Sequence, residues 1–138
     1  MALPARLFCD TSFFYATFDP RDVNHERAED LSADAVASAS SLYVTWDIVS
    51  ETLTLLRYRR SYHEALIFLT EIKPNLRIVN YGERVRSEAE QIFRPYGHDH
   101  KLSFCDAISF VVITTLLDDM PALAFDNDFC ALGLTVIA

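Results

Sequence analysis

Short apolar runs, each followed by a longer stretch of helix-forming residues, recur along this chain with only three glycines to separate them. "RLFCD" (6–10), "LYVT" (42–45), "LRIVNY" (76–81), "ALAFD" (122–126) and "LTVIA" (134–138) have the length and β-prone content of buried strands. Between them the pattern predicts helices over 12–19, 24–38, 46–60, 61–72, 83–93 and 103–119, with "RPYGHDHK" (94–101) as a loop. The helix over 83–93 is amphipathic, with Val85, Ala89, Ile92 and Phe93 on one side. Alternation of strand and helix without an internal repeat predicts a three-layer α/β/α domain around a mostly parallel five-stranded sheet. At 138 residues the chain is read as a single domain, 1–138, long enough to bury its own core.

Composition limits what such a domain does. A net charge of −8 argues against holding nucleic acid by bulk electrostatics, which draws on clustered Lys and Arg. A nuclease with an acidic metal site escapes that exclusion, because cations in the site offset the charge. Cys9, Cys105 and Cys130 lie far apart in apolar runs, as buried reduced thiols do, and this predicts a cytoplasmic protein without a disulfide framework. "AISFVVITTLL" stops at Asp118 and Asp119, too short for a membrane span, and "MALPARLFCD" has neither a basic lead-in nor a long apolar segment. No membrane association is expected.

The chemistry lies where acids interrupt apolar surroundings. Asp10 closes the first strand, Asp126 closes the fourth, Glu51 shares a helix face with Ile48 and Leu55, and Asp106 lies between Leu102 and Phe110 on a nearly all-apolar helix. Buried carboxylates are costly unless paired, hydrogen-bonded or bound to metal. Several converging at one end of a sheet call for a divalent cation, and an all-oxygen set suits Mg²⁺ or Mn²⁺ rather than zinc. The chemistry implied is phosphoryl transfer to water.

Each acid also has a plainer reading. Asp10 can be a helix N-cap, and "SFCD" places Ser103 and Asp106 in the S-x-x-D pattern of a capping box, although capping by Ser103 and ligation by Asp106 are compatible. Arg57, Arg59 and Arg60 form a basic patch that reads either as a substrate-backbone contact or as a solvated helix end. His98 and His100 flank Asp99 in a spacing too weak to assign a metal, and His25 and His63 read as surface or hydrogen-bonded structural residues. A phosphatase with a nucleophilic Asp needs a second Asp two residues after the first, where this chain has Ser12.

"FCDTSFFYA", "VTWDIVSETLTLL", "LSFCDAISFVV" and "LAFDNDFCALG" resemble the four acidic motifs of the PIN-domain nucleases, particularly the small VapC-type toxins, over essentially the whole chain. The resemblance implies a PIN-like fold and a Mg²⁺- or Mn²⁺-dependent endoribonuclease that leaves a 5′-phosphate. It assigns Asp10, Glu51, Asp106 and Asp126 to catalysis and metal binding, Glu51 as the outermost ligand either directly or through water, with Thr11, Ser12 and Ser103 in support. "DVNHERA" matches a family stretch at Asp22, His25 and Ala28. "FDNDF" departs from the common pattern by placing Asp128 where many relatives have a histidine, and Asp128 is taken as a supporting or structural residue. The implied partners are RNA, a second copy of the chain in a homodimer, and a small antitoxin inserting a basic residue into an acidic groove walled by Phe13, Phe14, Trp46 and Leu53. A non-toxin PIN nuclease of RNA maturation or decay, and a catalytically silent binding module, are the alternatives; the second would be favoured by loss of an acid, and all four are present.

Overall fold

Leu7, Phe8 and Cys9 are fully buried in β1 (Arg6–Cys9), the central strand of the computed structural model, which describes residues 1–99 and 101–138. Around it lie β2 (Ser41–Val44), β3 (Arg77–Ile78), β4 (Ala122–Leu123) and β5 (Val136–Ile137). Their order is β3-β2-β1-β4-β5, and every pairing is parallel. Phe8 is in register with Tyr43 on one side and Ala122 on the other. Because β1 is paired on both edges and covered on both faces, its residues read as a continuous apolar run.

The helices are α1 (Thr11–Phe18), α2 (His25–Ala37), α3 (Trp46–Arg59), α4 (Tyr62–Ile67), α5 (Glu83–Asp99), α6 (Phe104–Thr115) and α7 (Asn127–Ala131). Right-handed crossovers from β1 outward to β3 put α1 to α4 on one face of the sheet, and those returning through β4 to β5 put α5 to α7 on the other. The direction of travel reverses between β1 and β4. In an open parallel sheet the crevice beyond the strand ends at such a reversal is where ligands bind.

The three-layer α/β/α fold with a five-stranded parallel sheet is the one the alternation predicts. Its element ends differ in physically legible ways. "RPYGHDHK" is not a loop throughout: α5 continues through Pro95 to Asp99. Proline there gives up one helical hydrogen bond at an exposed position, where the freed carbonyl is solvated at little cost. On the same helix Val85 and Ala89 are buried, whereas Phe93 is partly exposed and packs edge-on against Phe104 with ring centroids 5.7 Å apart. α6 ends at Thr115, short of 119, and beyond it Asp118 and Asp119 take positive φ of 53° and 56°. α4 gives way at Phe68 to one π-type turn and then to a 3₁₀ turn, Lys73–Asn75, that holds Pro74. "NDFCALG" contributes the short helix α7.

Two local devices fix the parts that carry the acids. The His25 Nδ1–H donates to the Ala16 carbonyl at 2.6 Å while Nε2 lies 2.9 Å from Glu29, so one imidazole joins the start of α2 to α1. Gly133, at φ 85°, closes α7: its amide donates to Cys130 and the Leu134 amide reaches back to Phe129, the pattern of a Schellman stop. A β-carbon at Gly133 would meet no atom within 4 Å, so a substitution there is strained by conformation alone. Gly133→Ala is expected to cost about 1 kcal/mol. In urea unfolding this lowers the midpoint with the slope unchanged; an unaltered midpoint contradicts it.

Candidate metal centre

The end of β1 delivers Asp10 to the crevice. Its backbone is extended (φ −91°, ψ 159°) and its amide donates to the Leu123 carbonyl at 3.0 Å, which extends the ladder to β4. Its carboxylate caps α1, accepting from the Ser12 amide at 3.1 Å and the Ser12 hydroxyl at 2.6 Å. The same hydroxyl accepts the Phe125 amide at 2.9 Å, so Ser12 ties Asp10 to the segment that leads into Asp126. Thr11, buried, accepts a 3.3 Å hydrogen bond from Thr52 of α3, the helix that carries Glu51.

Asp126 and Asp106 are placed by the same local chemistry. Asp126 caps α7 by accepting the Asp128 amide at 2.9 Å. Asp106 sits at the third position of α6 and forms a complete capping box: its amide donates to Ser103 Oγ at 3.0 Å, and its carboxylate accepts the Ser103 amide at 3.2 Å. The capping reading of Ser103 and Asp106 is thus observed, and the box leaves the Asp106 carboxylate lining the crevice, where it could also hold a cation. Glu51 enters half-buried from α3.

These residues line one cleft of about 400 Å³, with Asp10, Glu51, Asp106 and Asp126 on its walls beside Thr11, Ser12 and Ser103. Carboxylate oxygens of Asp106, Asp126 and Asp128 lie within 4.8 Å of one another, a candidate metal-binding cluster. Asp10 and Glu51 share the cleft without belonging to that tightest group. Asp128, read from the sequence as supporting or structural, stands in it: α7 begins directly after Asp126, and its tight first turn brings both side chains toward Asp106.

The electrostatics follow from burial and crowding. Desolvation, reinforced by the charges of Glu51 and Asp126, outweighs the hydrogen bonds from Ser12 and raises Asp10 to about 6. Desolvation and the nearby Asp10 charge raise Asp106 to about 7 against the Ser103 hydrogen bonds. Burial, then the Glu51 carboxylate, holds the Cys105 thiol above the usual thiol range, so a neutral S–H sits among the acids.

Several sequence expectations are redistributed. The three arginines separate: Arg60 pairs with Asp19 and Glu64, Arg57 lies over the Tyr62 ring, and Arg59 alone lines the cleft, over Tyr15. Arg57, Arg59 and Arg60 are thus not one patch, because consecutive positions at a helix end diverge by about 100°. Phe13 and Phe14 wall a different, apolar groove with Leu42 and Ile72, since helical geometry turns them away from Ser12 and Tyr15. Trp46 is exposed under Lys73, and Leu53 packs on the core. Tyr15, Leu55 and Phe125 take the wall positions instead, and Asp22 and Asn24 stand at the rim. Lys101 also lines the cleft; its one signal in the sequence is its place two residues before the Ser103 cap. Cys130 is exposed on α7, and His63 and His98 are exposed away from the cleft, while His100 falls outside the described residues. Among the described residues no helix is long and apolar enough to cross a membrane.

The fold and this cluster place the chain among known proteins. The chain belongs to the PIN domain family, whose model matches residues 7–134. It is 28% identical over 121 residues to the VapC ribonuclease of Archaeoglobus fulgidus, a match that spans 87% of this chain and 76% of that protein. Among solved structures it is similar to Mycobacterium tuberculosis VapC20, a Sarcin-Ricin loop cleaving toxin, with TM-score 0.79 and 27% identity over 94% of this chain and 96% of that one. FitAcB from Neisseria gonorrhoeae has TM-score 0.71 at 16% identity, covering 96% of each chain, and shares the fold.

The raised carboxylates fix how the metal-free protein responds to pH. Between about pH 4 and pH 7 the folded chain holds protons at Asp10 and Asp106 that the unfolded chain has released, so stability falls as pH rises through that window. Moving Asp10 from 3.8 to about 6 corresponds to roughly 3 kcal/mol. In EDTA, urea midpoints are expected to fall from about pH 5 to about pH 8, and Asp10→Asn, which keeps the cap and removes the charge, is expected to flatten the fall. A wild type more stable at the higher pH contradicts this.

Proposed function

We propose that the chain is a divalent-metal-dependent endoribonuclease of the toxin type, hydrolysing RNA phosphodiester bonds with Mg²⁺ or Mn²⁺. The observation that carries the reading is the convergence of the Asp106, Asp126 and Asp128 carboxylates within 4.8 Å, in the cleft that Asp10 and Glu51 complete. The donors are hard carboxylate oxygens without a histidine or thiolate among the three, which suits Mg²⁺ or Mn²⁺ better than zinc. Asp106, Asp126, Asp128 and Asp10 would hold the ion, with Glu51 reaching it through water. Bound there, it supplies Lewis-acid polarisation of the phosphodiester and activation of the attacking water.

The chain's own residues do the rest. Ser12 fixes the Asp10 carboxylate with two hydrogen bonds, so the site is organised before substrate arrives. Glu51, on the opposite helix and half-buried, is the group placed to accept the proton of the attacking water. Leu55 and Phe125 give the cleft apolar walls beside the acids. A small antitoxin blocks the same cleft by inserting an Arg or Lys among carboxylates whose raised proton affinity marks an unmet demand for positive charge, and the homodimer that the motif resemblance implies is taken as the working form.

The test is cleavage of RNA by partner-free protein in Mg²⁺, Mn²⁺ and EDTA. Activity is expected with either ion and absent in EDTA. Asp106→Asn and Asp10→Asn are expected to lose at least about 100-fold, and Asp126→Asn at least about tenfold at saturating metal, or over roughly 1.4 kcal/mol of transition-state stabilisation. Asp128→Asn is expected mainly to raise the metal concentration needed. Equal rates for wild type and Asp106→Asn overturn the reading.

A further inference from the structure

The cleft is acidic at its floor, yet two cations stand in its wall: Arg59 and Lys101. They come from opposite faces of the sheet. Arg59 is the last residue of α3, and Lys101 leads into the Ser103 cap of α6. Glu51, Leu55 and Arg59 follow one another at intervals of four on α3, and all three line the cleft. Eight residues at 1.5 Å per residue place the Arg59 backbone about 12 Å along the helix from that of Glu51, so the two side chains enter the cleft at separate points along its wall.

Arg59 is also held. Its guanidinium lies 5.8 Å from the centre of the Tyr15 ring, and the Tyr15 hydroxyl donates to Asp19 at 2.8 Å. Asp19 is fixed in turn by the Arg21 amide at 2.9 Å and by Arg60 at 3.4 Å. The neighbouring arginine thus serves the scaffold while Arg59 faces the crevice. A cation stacked on a ring loses less freedom on gripping an anion than one on an unrestrained side chain.

We propose that Arg59 and Lys101 bind the sugar–phosphate backbone of the RNA on either side of the scissile position, so that the site takes a strand of several nucleotides. The inference rests on the nuclease reading of the acid cluster and adds the substrate contacts to it. Arg59 meets a phosphate remote from the cut, by a planar two-pronged contact. Lys101 meets one beside the Ser103–Asp106 end, as a point charge. This reconciles a chain of net charge −8 with a polyanionic ligand, since the grip is two placed cations rather than a basic face.

The experiment is equilibrium binding of a fluorescent oligoribonucleotide by anisotropy across a salt series, on the full chain. Ca²⁺, at a concentration saturating for each variant, takes the place of Mn²⁺ so that the strand is not cut during the titration; the cleavage assay keeps Mn²⁺. Cleavage by the same proteins is followed in parallel. Arg59→Ala and Lys101→Ala are each expected to weaken binding about tenfold, and each to reduce the slope of log affinity against log salt by about 0.7. Arg59→Lys is expected to restore the slope but only part of the affinity, a split that general loosening of α3 would not produce. Arg84→Ala, which removes the same charge from α5 at a site outside the cleft, is the control and is expected to change neither. The Arg59→Ala loss is expected to disappear on a dinucleotide, which is too short to reach it. Unchanged affinity and slope in both alanine variants overturn the proposal, as does failure of the wild type to bind RNA. If the alanine variants lose affinity while the wild type cuts no RNA, the grip stands and the nuclease reading falls; if the wild type cuts while the variants bind normally, the reverse holds.

Discussion

Carboxylates that repel one another are held together here because each is also bound by a helix start. Asp10 caps α1, Asp126 caps α7, Asp106 closes the capping box of α6, and Asp128 lies in the first turn of α7. Backbone N–H groups at helix N-termini have no intrahelical partner and carry the positive end of the peptide dipoles, so a negative side chain there is favoured. Three such starts point into one crevice. The local gain at each acid opposes both its burial and the repulsion from its neighbours, and the proton affinities of Asp10 and Asp106 stay raised, first by desolvation and then by the nearby charges.

The sheet makes the convergence possible. β1 and β4 are neighbours in space although more than a hundred residues separate them, and the chain reverses direction between them, so the segments that follow the two strands meet at one end. The Ser12 hydroxyl converts that adjacency into a fixed geometry. By donating to Asp10 while accepting from Phe125, it couples the first acidic segment to the last through a single oxygen. Loss of that hydroxyl would therefore affect two acids, one directly and one through the backbone that carries it.

The same economy extends to the positive residues. Asp19, itself buried, collects Tyr15, Arg21 and Arg60 into a partly exposed ion-pair network near the end of α3, and this leaves Arg59, stacked on Tyr15, directed at the cleft. A cluster of acids able to hold a divalent cation needs few basic side chains beside it when those are oriented, because a bound cation would offset the charge. Packing decides which arginine is structural and which faces the cleft. Their adjacency in sequence conceals the difference.

The alternation of apolar runs with helical segments by itself determined the layered α/β architecture, because strands buried on both faces must be apolar and the segments between them must cover those faces. The sequence also exposed Asp10, Glu51, Asp106 and Asp126, since an acid inside an apolar run is costly unless a helix start, a partner or a metal compensates it. It ranked Asp126 above Asp128, yet the carboxylates of both approach Asp106, because Asp126 is the N-cap of α7 and Asp128 lies in the first turn of that helix. It could not place Phe13 and Phe14, Arg59 or Lys101, whose directions depend on helix phase and on partners far along the chain. Periodicity fixes which residues are buried, whereas the meeting of segments distant in sequence is a property of strand order, and strand order is decided by the packing of the whole sheet.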